Sequence, residues 1–227
     1  MKRVKRILGI FILLLHLSNA NGQSSPGNWW IYFGNNKVSK SLNWHNEVQY
    51  RNYNFIGDLE QLMLRTGLGY DLTPHNNNLL LGYGYIISEP YDASGHKSRN
   101  TEHRIFGQFI TKQNILRTYL QHRYRLEYRI PGSNQSTMRA RYFLSANIPL
   151  NYREMKPNAV YLSFYNEIFI NLQAGYYDRN RVYAALGYQI NKDLKAEVGY
   201  MSQILPHTSS HQLQLVFFNN ISFEKEG

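Results

Sequence analysis

The chain has 227 residues, of which 15% are aromatic and 19 are tyrosine, and it contains no cysteine. That length suits a single domain with a sizeable buried surface, and the missing cysteines exclude a disulfide framework, a thiolate metal site and a lipid-anchored cysteine behind a leader. The formal charge is +10, but Lys2, Arg3, Lys5 and Arg6 supply four of the 25 basic residues, and the chain beyond residue 22 carries a net +6.

Residues 1–22 read as a secretory leader. A basic start precedes the apolar run Ile7 to Leu15, and Ser18 and Ala20 are the small residues of a cleavage site, with the cut expected after Ala20 or Gly22. The run is too short for a helical membrane span, which takes ~20 residues. Residues 23–227 would then form the mature domain. Export makes nucleic acid an unsuitable partner for the basic excess, which fits anionic lipid or an anion-lined pore better.

From Trp29 onward the hydropathy alternates with period two, the mark of strands with two different faces. A short candidate, Trp29 to Phe33, comes first. Between Leu42 and Tyr53 the even positions Leu42, Trp44, Val48 and Tyr50 oppose His45, Glu47, Gln49 and Arg51. Leu62, Leu64, Leu68 and Tyr70 then oppose Gln61 and Arg65. Leu79, Leu81, Tyr83 and Tyr85 oppose Gly82 and Gly84. Ile105 and Phe109 oppose Glu102, Arg104 and Gln108. Leu120, Tyr124, Leu126 and Tyr128 oppose Arg123, Arg125, Glu127 and Arg129. Ala140, Tyr142 and Leu144 oppose Arg139 and Arg141, and Val160, Leu162 and Phe164 oppose Ser163 and Glu167. Val182, Ala184, Leu186 and Tyr188 oppose Arg181. Leu194, Ala196, Val198 and Tyr200 oppose Lys195 and Glu197, and Leu213, Leu215 and Phe217 share a face of the last run.

Strands of this length cross a hydrocarbon layer when tilted, and averaging over two unlike faces explains a mean hydropathy of -0.49. The pattern predicts an all-β fold: a transmembrane antiparallel up-and-down β-barrel of about 10 strands, with 12 as the alternative, because single-chain bacterial barrels favour even numbers. Thr73 to Asn76 and Asn191 to Asp193 read as short turns, Ser88 to Asn100 and Ile204 to Ser210 as longer loops. The expected location is the outer membrane of a Gram-negative bacterium, with membrane lipids and the outer-membrane assembly machinery as partners. Leu68-Gly69-Tyr70 with Leu81-Gly82-Tyr83 echoes Leu186-Gly187-Tyr188 with Val198-Gly199-Tyr200, and these tyrosines suit a membrane boundary. A soluble barrel would turn the apolar face inward instead.

Several short stretches carry a family resemblance: Trp44 to Arg51, Thr101 to Arg104, Gln121 to Glu127, Arg139 to Tyr142 and Asn166 to Phe169. In this order they resemble the outer-membrane barrel family catalogued as domain of unknown function 2490, over about Trp29 to Phe223. The resemblance implies an outer-membrane barrel and no established activity, so it carries no catalytic residues across.

The polar face supplies the candidate site. Glu47, Glu102, Glu127, Glu167 and Glu197 would share the lumen with Arg51, Arg65, Arg104, Arg123, Arg125, Arg139, Arg141 and Arg181. The planar guanidinium fork binds a carboxylate bidentately, so a lumen filled by an Arg/Glu network in a structural or interaction role is the leading reading. The alternative is a small anion-favouring channel in which Arg125, Arg139 and Arg141 exceed their acidic neighbours. A second alternative is a lipid hydrolase or acyltransferase centred on His207-Thr208-Ser209-Ser210-His211, which lacks a nearby acid to orient the base. No metal or other cofactor is implied: His103 and His122 lack ligand spacing, and the pairs Asp58/Glu60 and Glu89/Asp92 are too sparse for Ca²⁺.

Overall fold

The structure, a computed structural model, describes residues 26–224 except 75, 134 and 174. The expected leader, residues 1–22, lies outside the described residues. Among the described residues there are eleven strands: β1 (Gly27–Lys37), β2 (Leu42–Asn52), β3 (Leu59–Asp71), β4 (Asn77–Ser88), β5 (Asn100–Ile115), β6 (Thr118–Pro131), β7 (Thr137–Pro149), β8 (Val160–Asn171), β9 (Tyr177–Gln189), β10 (Leu194–Ile204) and β11 (Ser209–Asn219). Each pairs with its chain neighbours, and β1 closes on β11 to complete a barrel. The all-β barrel therefore matches expectation, and the strand count corrects it: eleven, neither ten nor twelve.

Eleven has a topological consequence. In an up-and-down meander the first and last strands run the same way when their number is odd. The closing pair must then be parallel, and β1 meets β11 in parallel register from Gly27 opposite Gln212 to Gly34 opposite Asn219. The expected short run Trp29 to Phe33 is the middle of a full strand. Its continuation, Gly34-Asn35-Asn36-Lys37, reads as a turn, but amide side chains hold it extended. Asn43 Nδ2 donates to Asn35 Oδ1 at 2.5 Å, Asn46 Nδ2 to Asn36 Oδ1 at 3.0 Å, and Asn36 Nδ2 to the Ile221 carbonyl at 2.9 Å. The tail after β11 also crosses this end of β1. Phe223 N donates to the Lys37 carbonyl at 2.8 Å, and the Phe223 ring lies 6.5 Å from that of Trp44 on β2.

The loops fall on two rims. Turns 38–41, 72–76, 116–117 and 190–193 share one rim with the longer loop 150–159, and loops 53–58, 89–99, 132–136, 172–176 and 205–208 form the other. We call these the first and second rims.

Side-chain parity follows the sequence pattern. Leu68, Leu81, Tyr124, Leu126, Val182 and Val198 are exposed on the outer face, while Arg65, Arg125, Glu127 and Arg181 are buried in the lumen. One row of directly paired outward residues runs from Trp44 on β2 through Leu68, Leu81, Gly107, Leu126 and Ala140 to Ile170 on β8 without a polar side chain. The glycines of the Gly-Tyr repeat face inward, where Gly82, Gly187 and Gly199 make room for rings and Gly69 for the Asn43 amide. Gly82 pairs with Phe106 and Gly187 with Tyr161, and a Cβ on either glycine would run into the facing ring. Their tyrosines Tyr70, Tyr83, Tyr188 and Tyr200 are exposed on the outer face.

The lumen has two unlike sectors. Around the closing seam, Trp29, Ile31, Tyr183, Ala185, Met201 and Val216 form an apolar cluster, joined by Phe33, Tyr165 and Phe218. The remaining wall carries the charges. Burying a guanidinium or carboxylate costs several kcal/mol unless an opposite charge and further hydrogen bonds replace water, so the arrangement of that wall is tightly specified.

Candidate functional site

The lumen charges are joined in a chain. Glu127 on β6 receives Arg139 Nη2 at 2.7 Å and Arg141 Nη1 at 2.5 Å, both from β7, with Arg125 Nη1 at 3.4 Å. Arg141 reaches on to Glu167 of β8 at 2.5 Å, where Arg123 also arrives at 2.7 Å. Arg141 therefore bridges two carboxylates, its planar fork directing separate N–H groups to each. Arg181 approaches the other oxygen of Glu167 at 4.0 Å. A second group pairs Glu47 with Arg65 at 2.7 Å and with His45 at 3.4 Å. A third, toward the second rim, pairs Glu102 with Arg104 at 2.6 Å and with Arg129 at 2.7 Å.

Aromatic rings fill the space between the forks. Phe169 has the guanidinium carbons of Arg141, Arg181, Arg139 and Arg179 at 4.4, 4.8, 5.2 and 5.9 Å from its ring centroid. Arg125 lies over Phe106 at 4.4 Å and Arg123 over Phe143 at 4.5 Å. The negative ring face offsets part of the lost hydration. Amides supply the rest: Arg125 donates to Gln108 Oε1, and Arg51 to Gln49 Oε1 and Gln61 Oε1. Arg51 also lies 3.8 Å over Trp29.

Of the expected network, the structure brings Glu47, Arg65, Glu102, Arg104, Arg123, Arg125, Glu127, Arg139, Arg141, Glu167 and Arg181 into ion pairs. Two members stand apart. Arg51 has neutral amide partners, and Glu197 accepts the hydroxyls of Tyr161 at 3.0 Å and Tyr183 at 3.3 Å instead of an arginine.

Asp178 joins the network although its parity points outward. It receives Arg139 Nη1 at 2.8 Å. The β8–β9 register slips between Phe169 and Ile170, whose partners are Arg179 and Tyr177, so Asp178 is the extra residue of a bulge. A bulge re-aims a side chain, and alternation counted through it assigns the wrong face. Arg129 opposes the outward residues in the sequence and is the bidentate partner of Glu102; no fixed spacing marks it as such.

From network level toward the first rim, the lumen holds a partly open cavity of about 470 Å³. Its lining includes Trp29, Arg51, Arg65, Arg141, Glu167 and Arg181 at network level, and Lys112, Asn147, Met155 and Lys192 nearer the rim. Arg104, Glu127 and Arg139 are not part of that lining.

The His207 to His211 segment divides between faces. Ser210 turns inward, where Gln212 Nε2 donates to its Oγ at 3.0 Å. His211 turns outward and stacks on Tyr200 at 5.5 Å. Asp58 and Glu89 are both within reach of Lys97, at 2.6 and 3.9 Å. Among the described residues there is no cluster of three or more metal-ligating side chains.

No curated protein and no solved structure matches the chain. One family model does, over residues 26–214, which takes in β1 to the middle of β11 and with them every strand that contributes to the network. The chain is therefore a member of the protein family of unknown function DUF2490.

Proposed function

We propose that the protein is an integral outer-membrane β-barrel whose lumen is occluded by the Arg/Glu network, and that it serves as a closed scaffold presenting its rims rather than as an open pore. The observation that carries this reading is the division of faces. An uninterrupted apolar row spans β2 to β8 outside, while buried Arg–Glu ion pairs join β2 to β3 and link β5, β6, β7 and β8 inside. An apolar outer belt this extensive is unsuited to water. A closed sheet leaves no unpaired edge, which a hydrocarbon medium requires. The secretory leader read from residues 1–22 supports the same location. The small anion-favouring channel is the second reading, supported by the excess of arginine in the lumen, and it would require the network to part.

The test is membrane integration of the full chain and of Leu126→Arg, which sets a charge in the middle of the outer row. The native chain should float with outer-membrane vesicles and resist carbonate extraction. Leu126→Arg should lose about 2–4 kcal/mol of folding stability in a bilayer. Recovery of the native chain as soluble protein, or an unaffected Leu126→Arg, would remove the membrane reading.

A further inference from the structure

The lumen cavity is a built chamber with more positive charge than it can satisfy. Its carboxylates already have partners: Glu47 has Arg65, Glu167 has Arg141 and Arg123, and Glu197 has two tyrosine hydroxyls. Three lining lysines are different. Among the described residues, Lys112, Lys192 and Lys195 take part in no ion pair, although all three border the cavity.

The positions of two of them matter most. Lys112 is on β5 and Lys195 on β10, strands that lie on opposing walls of the barrel, and both side chains border the cavity between them. Like charges facing one another across a cavity are destabilising, and an anion between them reverses the sign. The walls add uncompensated donors: Trp29 Nε1, Arg123 Nε and Gln214 Nε2 are buried and have no acceptor in the protein. Buried N–H groups are nearly always paired, so an acceptor-rich guest supplies what this chamber lacks.

The remaining wall is apolar. Phe33 and Phe218 stack at 5.4 Å, Ile31 and Val216 lie beside them, and Lys195 sits 4.3 Å over the Phe218 ring. A chamber of about 470 Å³ is in the range of small-molecule sites, which pair an apolar wall with a few polar groups. We infer that the chamber binds an oxyanion carried on an apolar body, with the head between Lys112 and Lys195 and the body against Phe33, Val216 and Phe218. This goes beyond the proposed function and is independent of it, because the chamber is lined by inward side chains whatever surrounds the barrel.

The experiment is calorimetric titration of the full chain in octyl glucoside with phenyl phosphate, hexyl phosphate and benzyltrimethylammonium. The phosphates should bind and the ammonium should not. Tighter phenyl phosphate binding would identify a ring-bearing soluble anion as the ligand type, and tighter hexyl phosphate binding a lipid-derived one. Lys112→Gln and Lys195→Gln should each weaken phosphate binding about tenfold, the scale of one charge-assisted hydrogen bond. Absence of phosphate binding at millimolar concentration, equal binding of the ammonium, or binding unchanged in both lysine variants would overturn the inference. The comparison of anion with cation uses the native chain, so it stands even if a variant fails to fold.

Discussion

Arg141 and Phe169 face one another across β7 and β8, with the guanidinium carbon 4.4 Å from the ring centroid. The ring supports the fork from below while its nitrogens reach Glu127 and Glu167 on either side. This one arginine couples three strands, β6, β7 and β8.

Its removal should therefore be severe. Arg141→Gln leaves Glu167 with Arg123 and Glu127 with Arg139, but each carboxylate loses its shared counter-charge. The expected cost is about 3–5 kcal/mol, the scale for breaking a buried ion pair. Arg141→Lys keeps the charge without the fork and should fall between. Urea unfolding followed by tryptophan fluorescence checks this, and an unchanged midpoint for Arg141→Gln would show that the network contributes no stability.

The glycines opposite rings make a second expectation. Gly82→Val should cost about 1–3 kcal/mol, because its side chain would collide with Phe106 on the neighbouring strand. Phe106→Ala should relieve that clash. In a double-mutant cycle the pair should be more stable than the two single losses added together. Strict additivity would mean the two positions do not share space.

At the second rim, loop 89–99 is tethered to loop 53–58. Lys97 pairs with Asp58 at 2.6 Å, and the Tyr91 hydroxyl donates to Asp58 at 2.9 Å. The hydrogen bond from Lys97, with that from Tyr91, holds the Asp58 carboxyl below its ordinary value of 3.8. The hydrogen bond to Asp58 holds the Lys97 ammonium above its ordinary 10.5. The carboxylate's contribution is present above 3.8 and is lost as pH falls through its lowered folded value. The ammonium's contribution is present below 10.5 and is lost as pH rises through its raised folded value. The tether should hold across neutral pH. Protection of Tyr91 to Lys97 amides from hydrogen exchange should be flat over roughly pH 5–9 and fall in acid, whereas Asp58→Asn should lower it throughout. Equal protection in the two proteins would show that the pair does not hold the loop.

The extent of the barrel legible in the sequence follows from which strands have unlike faces. β2 to β11 show the alternation because each sets an apolar outer face against at least one polar or glycine position in the lumen, although Phe106, Phe169, Tyr183, Met201 and Val216 also point inward. β1 does not, since Trp29 and Ile31 point into the apolar sector of the lumen while Trp30 and Tyr32 point outward. Two apolar faces erase the alternation, and the asparagines that follow look like a turn. The preference for even strand numbers then turned ten visible strands and one doubtful strand into ten or twelve. In the candidate site, residue type and parity mark the strand faces that carry arginine and glutamate, but they do not single out Arg129 as the partner of Glu102. Pairing was not legible, because it depends on register: Glu197 meets tyrosines through the spacing of β8, β9 and β10, and a bulge turns Asp178 inward. The chamber was equally hidden, since it arises where inward side chains of distant strands fail to meet.

The most direct test of a closed barrel is the conductance of a planar bilayer fused with vesicles that carry the full-length chain, insertion having been verified by flotation. An Arg/Glu-occluded lumen predicts a flat baseline with no unitary current steps in the native protein. Reproducible ohmic steps, and an anion preference in them above all, would contradict it and establish the pore.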